Sequence, residues 1–393
     1  MPATHVDETT TTGCPTLHLA FELGWNSWKL ASSVAVARKP RLKTIRARDL
    51  DALREEIARA KARFGLPADA RVVSCYEAGR DGFWLHRFLE REGVANVVVD
   101  AASIEVSRRA RRAKSDGVDV AKLLSMLIRY RNGEARLWGV VNVPSPDDED
   151  RRQPHRELAA LKGERTEHSN RIKGPLAGLG LDVVVDGGLA GRLAALLRWD
   201  GSALPAHLHE RLLREFERWK LVDRQVRDLD NAQRRAIRDD ATADVEKVRR
   251  LMDLKAIGPT SATLFVREFF GWRRIRNRRE LASLAGLCPT PYDSGESRRE
   301  QGVSKAGNRR LRAMAVEIAW MWLRYQPRSA LSRWYEQRFA SGGARARKVG
   351  IVALARKLLV ALWKYLDRGE VPEGAEFTPW IKKLNGRLPA AAP

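Results

Sequence analysis

At 393 residues, with 44% hydrophobic and 31% charged side chains, the chain is long enough for two or three cores and too apolar to be disordered. Its 72 Lys and Arg outweigh 49 Asp and Glu, and the formal charge of +23 favours a nucleic-acid partner over acidic peptides or membrane lipid. No apolar run approaches a membrane span, no secretory pattern opens the chain, and Cys14, Cys75 and Cys288 show no paired spacing, which argues for a cytoplasmic protein without disulfides or a zinc site.

In chain order, residues 1–15 are polar and Thr-rich and read as a disordered arm. The apolar run 17–23, the turn Gly24-Trp25-Asn26-Ser27, and runs at 28–36 and 43–47 read as three strands. A helix from about 49 follows, with Leu50, Leu53, Ile57 and Ala60 at helical spacing. Residues 71–76 read as a buried strand ending at Glu77-Ala78-Gly79, then a helix carries Phe83, Trp84, Leu85 and Phe88, and 96–100 reads as another strand. This mixed α/β order is that of the ribonuclease-H-like folds, in which acids at strand ends converge on metal. A basic stretch at 108–114 leads into Asp116-Gly117-Val118-Asp119 and an amphipathic helix with Leu123, Leu124, Leu127 and Ile128.

Two prolines and an acidic run at 143–150 read as a linker. Residues 151–173 and 206–239 read as long charged helices, a helical hairpin or coiled coil interrupted at 178–188. At 251–270 a helix, a Gly-Pro turn and a second helix resemble a helix-hairpin-helix, whose turn amides can hold a phosphate. A short helix at 279–285, a polar, basic, Gly-containing loop at 286–307 and helices at 309–325 and 344–367 complete the chain. The expected domains are 16–143, 144–250, 251–340 and 341–393, after the 1–15 arm.

Four acids stand out in this basic chain: Glu22 inside the first apolar run, Glu77 at a strand end, and Asp116 and Asp119, three apart at a helix start and so on one helix face. Carboxylates with water are the ligands Mg²⁺ or Mn²⁺ prefers, and such ions act on phosphodiesters. The plainer readings are acids at a positive helix end for the aspartates and a salt bridge for Glu77. Ser294 precedes Gly295 in the basic loop, where Arg298, Arg299, Lys305, Arg309 and Arg310 would stabilise a pentacovalent phosphate if the serine attacked it. A Ser-Gly pair is also an ordinary turn. Ser297 is near enough to compete, but Arg rather than Gly follows it. Arg111, Arg112 and Lys114, within the basic stretch, and the arginines of 273–279 are candidate nucleic-acid contacts.

Leu19-Ala20-Phe21-Glu22-Leu23 with Trp28-Lys29-Leu30-Ala31, then Tyr76-Glu77-Ala78-Gly79, then Lys114-Ser115-Asp116-Gly117-Val118-Asp119, form one ordered set. Leu284-Ala285-Gly286-Leu287-Cys288-Pro289, Ser294-Gly295 and Ser304-Lys305-Ala306-Gly307-Asn308-Arg309-Arg310 form another. Together they resemble a bacterial insertion-sequence transposase family, the one-hundred-and-ten type with its eleven-eleven subgroup, over about residues 16–330. The resemblance implies an RNase-H-like (RuvC-like) α/β domain, a helical coiled-coil middle and a mostly α C-terminal domain. It implies a nucleoid-associated DNA recombinase that moves its own element, guided by a structured bridge RNA that pairs with target and donor DNA. Carried over, Glu22, Glu77, Asp116 and Asp119 bind Mg²⁺ or Mn²⁺, and Ser294 attacks DNA to give a phosphoserine link. Acids and serine from different subunits of a dimer or tetramer would complete one site. Position 22 departs from the family pattern, holding Glu where Asp is usual; its longer arm still supplies oxygen. The alternatives are a RuvC-like nuclease without serine chemistry and a non-catalytic RNA- or DNA-binding protein.

Overall fold

A computed structural model describes residues 15–104, 116–134, 137–294 and 297–385, with the side chains at 102, 116–117, 291–301 and 385 outside the description. Apart from Pro15, the arm read at 1–15 lies outside the described residues, as do Arg111, Arg112 and Lys114. The chain forms two compact units, Met1–Val143 and Pro144–Pro393.

The first unit is built on a five-stranded sheet. Strands β1 (Leu17–Leu23), β2 (Ser27–Ser33) and β3 (Arg41–Arg46) form an antiparallel meander, and β4 (Val72–Glu77) and β5 (Ala95–Val99) join parallel to β1, in the order β3-β2-β1-β4-β5. Helix α1 (Leu50–Arg63) begins where Asp49 accepts a hydrogen bond from the Ala52 amide (2.9 Å), and α2 (Trp84–Arg91) connects β4 to β5. Side chains alternate across the sheet. Leu17, Leu19, Phe21, Trp28, Leu30, Val72, Tyr76 and Val98 face the side of α1 and α2, against Leu53, Leu85 and Leu89. Ala20, Ala31, Val73, Cys75 and Val99 face the other side, against Val120, Leu123, Leu124 and Leu127 of α3 (Asp116–Arg131). The small Ala20, Ala31 and Cys75 let α3 lie close to the sheet, with the Cys75 thiol 3.9 Å from the Leu123 carbonyl.

The second unit is helical apart from one hairpin. The acidic run read as a linker is instead a short helix, α4 (Pro146–Asp150): the Ser145 hydroxyl accepts from the Asp148 amide (3.1 Å), Asp148 accepts back from the Ser145 amide (3.3 Å), and Pro146 opens the first turn. Helices α5 (Gln153–Ala177) and α7 (Ala206–Asp239) form an antiparallel hairpin with α6 (Leu189–Ala195) near its turn. Leu158 and Leu161 meet Val222 and Val226 at one end, while Ile172 and Leu176 meet Leu212, Phe216 and Trp219 at the other. Asp223 and Glu215 are buried in this arm because Arg165 and Arg227 pair the first, at 2.9 and 2.6 Å, and His168 and Arg218 the second, at 2.6 and 2.8 Å.

The remaining helices are α8 (Ala243–Asp253), α9 (Pro259–Phe265), α10 (Arg278–Leu284), α11 (Arg309–Tyr325), α12 (Ala330–Tyr335), α13 (Ala344–Arg368) and α14 (Trp380–Asn385). They pack around Leu251, Phe265, Phe269, Leu311, Trp322, Leu354 and Leu358. The loop expected at 286–307 is a hairpin of β6 (Pro289–Ser294) and β7 (Ser297–Val303), with an irregularity at Pro289/Pro291, where proline cannot donate to the ladder. No helix among the described residues is long and apolar enough to cross a membrane.

Candidate functional site

In the first unit, the register carries Glu22 and Glu77 to the same end of the sheet. Phe21 pairs with Tyr76 in the parallel β1–β4 ladder, and one residue further along each strand stand Glu22 and Glu77. Both share the parity of Ala20 and Cys75, so both belong to the sheet face that α3 covers. Glu22 is half-buried and cross-strand from Lys29; Glu77 is exposed.

The direction of α3 decides where its aspartates lie. At its C-terminal end, the Arg131 charge, second to burial, lowers the pKa of His18 near the start of β1, and Arg71, just before β4, is close enough to depress that of Arg131, itself lowered mainly by burial. Helix α3 therefore runs antiparallel to β1 and β4, and its first turn, with Asp116 and exposed Asp119, lies toward the sheet end that carries Glu22 and Glu77. The side chain of Asp116 is outside the described residues. Among the described residues, no three His, Cys, Asp or Glu side chains cluster closely enough to hold an ion. As a donor set, four carboxylates suit a hard divalent cation and not zinc or copper.

The same sheet end carries a feature that the sequence pattern shows only as a turn. Trp25, 62% exposed, follows β1, and the guanidinium groups of Arg48 and Arg80 lie over its ring at 4.9 and 4.6 Å. Arg48 adopts a left-handed φ of 69° and donates to the Trp25 carbonyl (3.2 Å), while Asp81 accepts from both arginines at 3.4 Å. A tryptophan in a turn three residues after an acid is the signal the sequence offers.

In the second unit, Ser294 closes β6 and pairs with Ser297, which opens β7. Both serines thus flank the hairpin turn; their side chains, like those of Arg298 and Arg299, are outside the described residues. The hairpin base is fixed by backbone contact. Gly307 has φ 115°, and a Cβ there would sit 2.3 Å from the Leu284 carbonyl oxygen, while the neighbouring Asn308 amide donates to that oxygen (2.9 Å). Gly286, at φ 66°, meets the Ala306 carbonyl in the same way. The two glycine motifs on either side of the hairpin therefore interlock. Exposed Lys305 continues this base, and Arg309 and Arg310 lie exposed in the first turn of α11, where positive charge opposes the helix dipole.

Behind the base lies a buried ion cluster. Glu268, 1% exposed, accepts from His155 Nε2 (3.0 Å), from Arg156 at 2.6 and 2.8 Å, and from Asn308 Nδ2 (3.1 Å), and Asn308 also caps α11 through the Leu311 amide (3.1 Å). Burial alone would raise the Glu268 pKa, but the hydrogen bonds and charges of His155 and Arg156 hold it well below the usual carboxylate range.

The Gly-Pro turn between α8 and α9 is occupied from within. The Lys255 amide donates to the Glu376 carbonyl (3.0 Å), the Ile257 amide to Leu254 (3.1 Å) and the Gly258 amide to Ser261 Oγ (3.1 Å). Lys383 caps the carbonyls of Met252, Leu254 (2.7 Å) and Ile257 (3.0 Å). These three turn amides serve the fold, whereas a phosphate-holding helix-hairpin-helix would leave them to the ligand. In the basic run at 273–279, Arg273 lies over Trp272 (4.2 Å) and Arg276 pairs with Glu280 (3.3 Å).

The sequence profile of the Transposase IS116/IS110/IS902 family matches residues 248–334, from α8 to α12. The chain is 41% identical to a putative transposase, y4rJ, of Sinorhizobium fredii, over 91% of this chain and 94% of that protein. It is 29% identical to a probable family 20 transposase of Pseudomonas aeruginosa, over 58% and 66% of the two chains. It is 26% identical to the transposase for insertion sequence element IS1328 of Yersinia enterocolitica, over 55% and 63%.

Proposed function

Because the chain belongs to the IS116/IS110/IS902 transposase family, we propose that it cuts and rejoins DNA with the acids at one sheet end and a serine at a hairpin tip. What supports this reading is the β1–β4 register, which puts Glu22 and Glu77 at one end of the sheet, and the antiparallel course of α3, which directs its first turn toward that end. Glu22, Glu77, Asp116 and Asp119 would hold Mg²⁺ or Mn²⁺, which supplies charge neutralisation at the phosphodiester when bound. The first unit is read as RuvC-like on the same ground.

Ser294 Oγ attacks phosphorus, forming an O–P bond while the bond to one sugar oxygen breaks; the serine proton passes to solvent and the leaving oxygen gains one. The serine ester keeps the phosphodiester bond energy that rejoining needs, whereas attack by water would end in hydrolysis. Acids and serine from different subunits of a dimer or tetramer would act together. A structured guide RNA is read as the element that selects target and donor, with the protein holding backbone through a surface of high positive charge.

The test is covalent capture. Incubated with Mg²⁺, guide RNA and DNA bearing its element's end, the protein is expected to give a denaturation-resistant DNA adduct that Ser294→Ala abolishes and Ser297→Ala retains. Full strand transfer by Ser294→Ala would overturn the serine step and leave a nuclease that uses the acids alone.

A further inference from the structure

The second unit contains a groove of about 1150 Å³ that reaches from Lys305 at the hairpin base well beyond the site described above. It lies between the base of the β6–β7 hairpin, where Pro289 pairs with Val303, and the outer face of α13. Its floor is apolar, with Leu287, Val303, Trp334, Val349, Val352 and Val360, and Val349 is 51% exposed. Helix α13 already buries Ile351, Leu354, Leu358 and Leu362 in the core, so it carries a second apolar stripe toward solvent.

The rim is basic throughout. Among the described residues that line it, eight are Lys or Arg, none is Asp or Glu, and none carries a hydroxyl, amide or imidazole. Among the described residues only Lys364 of these eight has a carboxylate partner, Glu370 at 2.7 Å. The cations come from α10 (Arg278, Arg279), the hairpin base (Lys305) and along α13 from Arg345 to Lys364, about 28 Å at 1.5 Å per residue. Like charges gathered around an apolar floor repel one another and call for a polyanion with apolar faces.

We propose that this groove holds an unpaired DNA strand, bases on the floor and phosphates on the rim, a reading that rests on the transposase function above. A duplex keeps its bases stacked inside and would leave the floor uncovered, whereas a single strand matches both floor and rim. The half-buried Trp334, with Lys357 Nζ over its ring at 4.6 Å, and the valines offer apolar contact without reading base edges. The commitment to DNA rests on the hairpin itself, whose tip bears the serine proposed to attack a DNA strand. The hairpin whose base forms one wall bears Ser294 at its tip, so a strand opened for cutting has the groove beside its path.

The experiment uses the full-length protein with mixed-sequence single-stranded DNA, single-stranded RNA and duplex DNA, each of about 12 units, a length suited to one such groove. For single-stranded DNA, the slope of log Kd against log salt is expected to fall by about 1.4 in Lys348→Ala/Arg356→Ala, since each of the two cations removed neutralises one phosphate at about 0.7 of slope, with the duplex slope unchanged. Because both side chains lie on the groove's solvent face, unfolding midpoints should hold. A strand carrying 5-iododeoxyuridine should also photocrosslink to the peptide containing Trp334 in the unsubstituted protein. Equal slope changes for duplex and single strand, single-stranded RNA bound tenfold tighter than DNA, or a crosslink map without α12 and α13 would each overturn the proposal. The Ser294 adduct is scored separately on the unsubstituted protein. An adduct with no Trp334 crosslink rejects the groove alone, and a crosslink with no adduct rejects the serine chemistry.

Discussion

Two residues at and behind the base of the serine hairpin each make a separate prediction. Glu268 ties α5 through His155 and Arg156 to the Asn308 cap of α11. Glu268→Gln leaves Arg156 without its counter-charge, an expected loss of about 3 kcal/mol in urea unfolding, the scale for breaking a buried pair from one side. Because the folded-state pKa of Glu268 is depressed, its contribution is complete above the ordinary value of 4.5 and declines as pH falls below it toward the folded-state value. The gap between wild type and variant should therefore be widest near neutral pH and narrow in acid below about pH 4. Gly307→Ala makes the second case. The added methyl must displace the Leu284 carbonyl at φ 115°, so a loss of about 2 kcal/mol or more is expected in thermal unfolding, and the hairpin base shifts with it.

At the level of elements, the strands were legible because the alternation that builds them is local: Leu17, Leu19 and Phe21 on one face, His18 and Ala20 on the other. The long α7 was legible for the same reason, its apolar residues recurring at helical steps. The β6–β7 hairpin was not, since two prolines, an irregular ladder and a charged strand give no period-2 signal. The short α4 hid behind its prolines although its Ser-x-x-Asp capping box was written in the chain. Glu268 was invisible because its partners lie 112, 113 and 40 residues away. Of the candidate site, Glu22 and Glu77 were readable from their strands, but that Asp119 stands at the same end needed the antiparallel course of α3. The Trp25 turn belongs to this scale too. With its ring mostly exposed, Trp25→Ala should change stability by less than about 1 kcal/mol, while Arg48 and Arg80 lose the surface that orients them. DNA cleavage is expected to fall severalfold, and Trp25→Phe should restore most of it; unchanged cleavage rates in Trp25→Ala would remove the turn from the site.

Across the whole molecule, binding and chemistry draw on opposite charges. The excess of Lys and Arg attracts DNA non-specifically, with affinity that falls as salt rises, whereas the four candidate acids repel the same phosphates unless a cation lies between. Replacing acids by amides therefore separates the two functions. Glu77→Gln/Asp119→Asn removes two negative charges at exposed positions, where no hydrophobic packing is lost. Metal-free DNA affinity should stay the same or rise, and the Mg²⁺ dependence of cleavage should disappear along with at least about a hundredfold of its rate, the scale for losing electrostatic stabilisation of a transition state. A structural role for these acids predicts something else: a lower unfolding midpoint, with cleavage of the surviving folded fraction still responding to Mg²⁺. Measuring filter-bound DNA without metal beside a Mg²⁺ titration of cleavage distinguishes the two, because only a metal-holding pair loses the metal response while metal-free binding is kept.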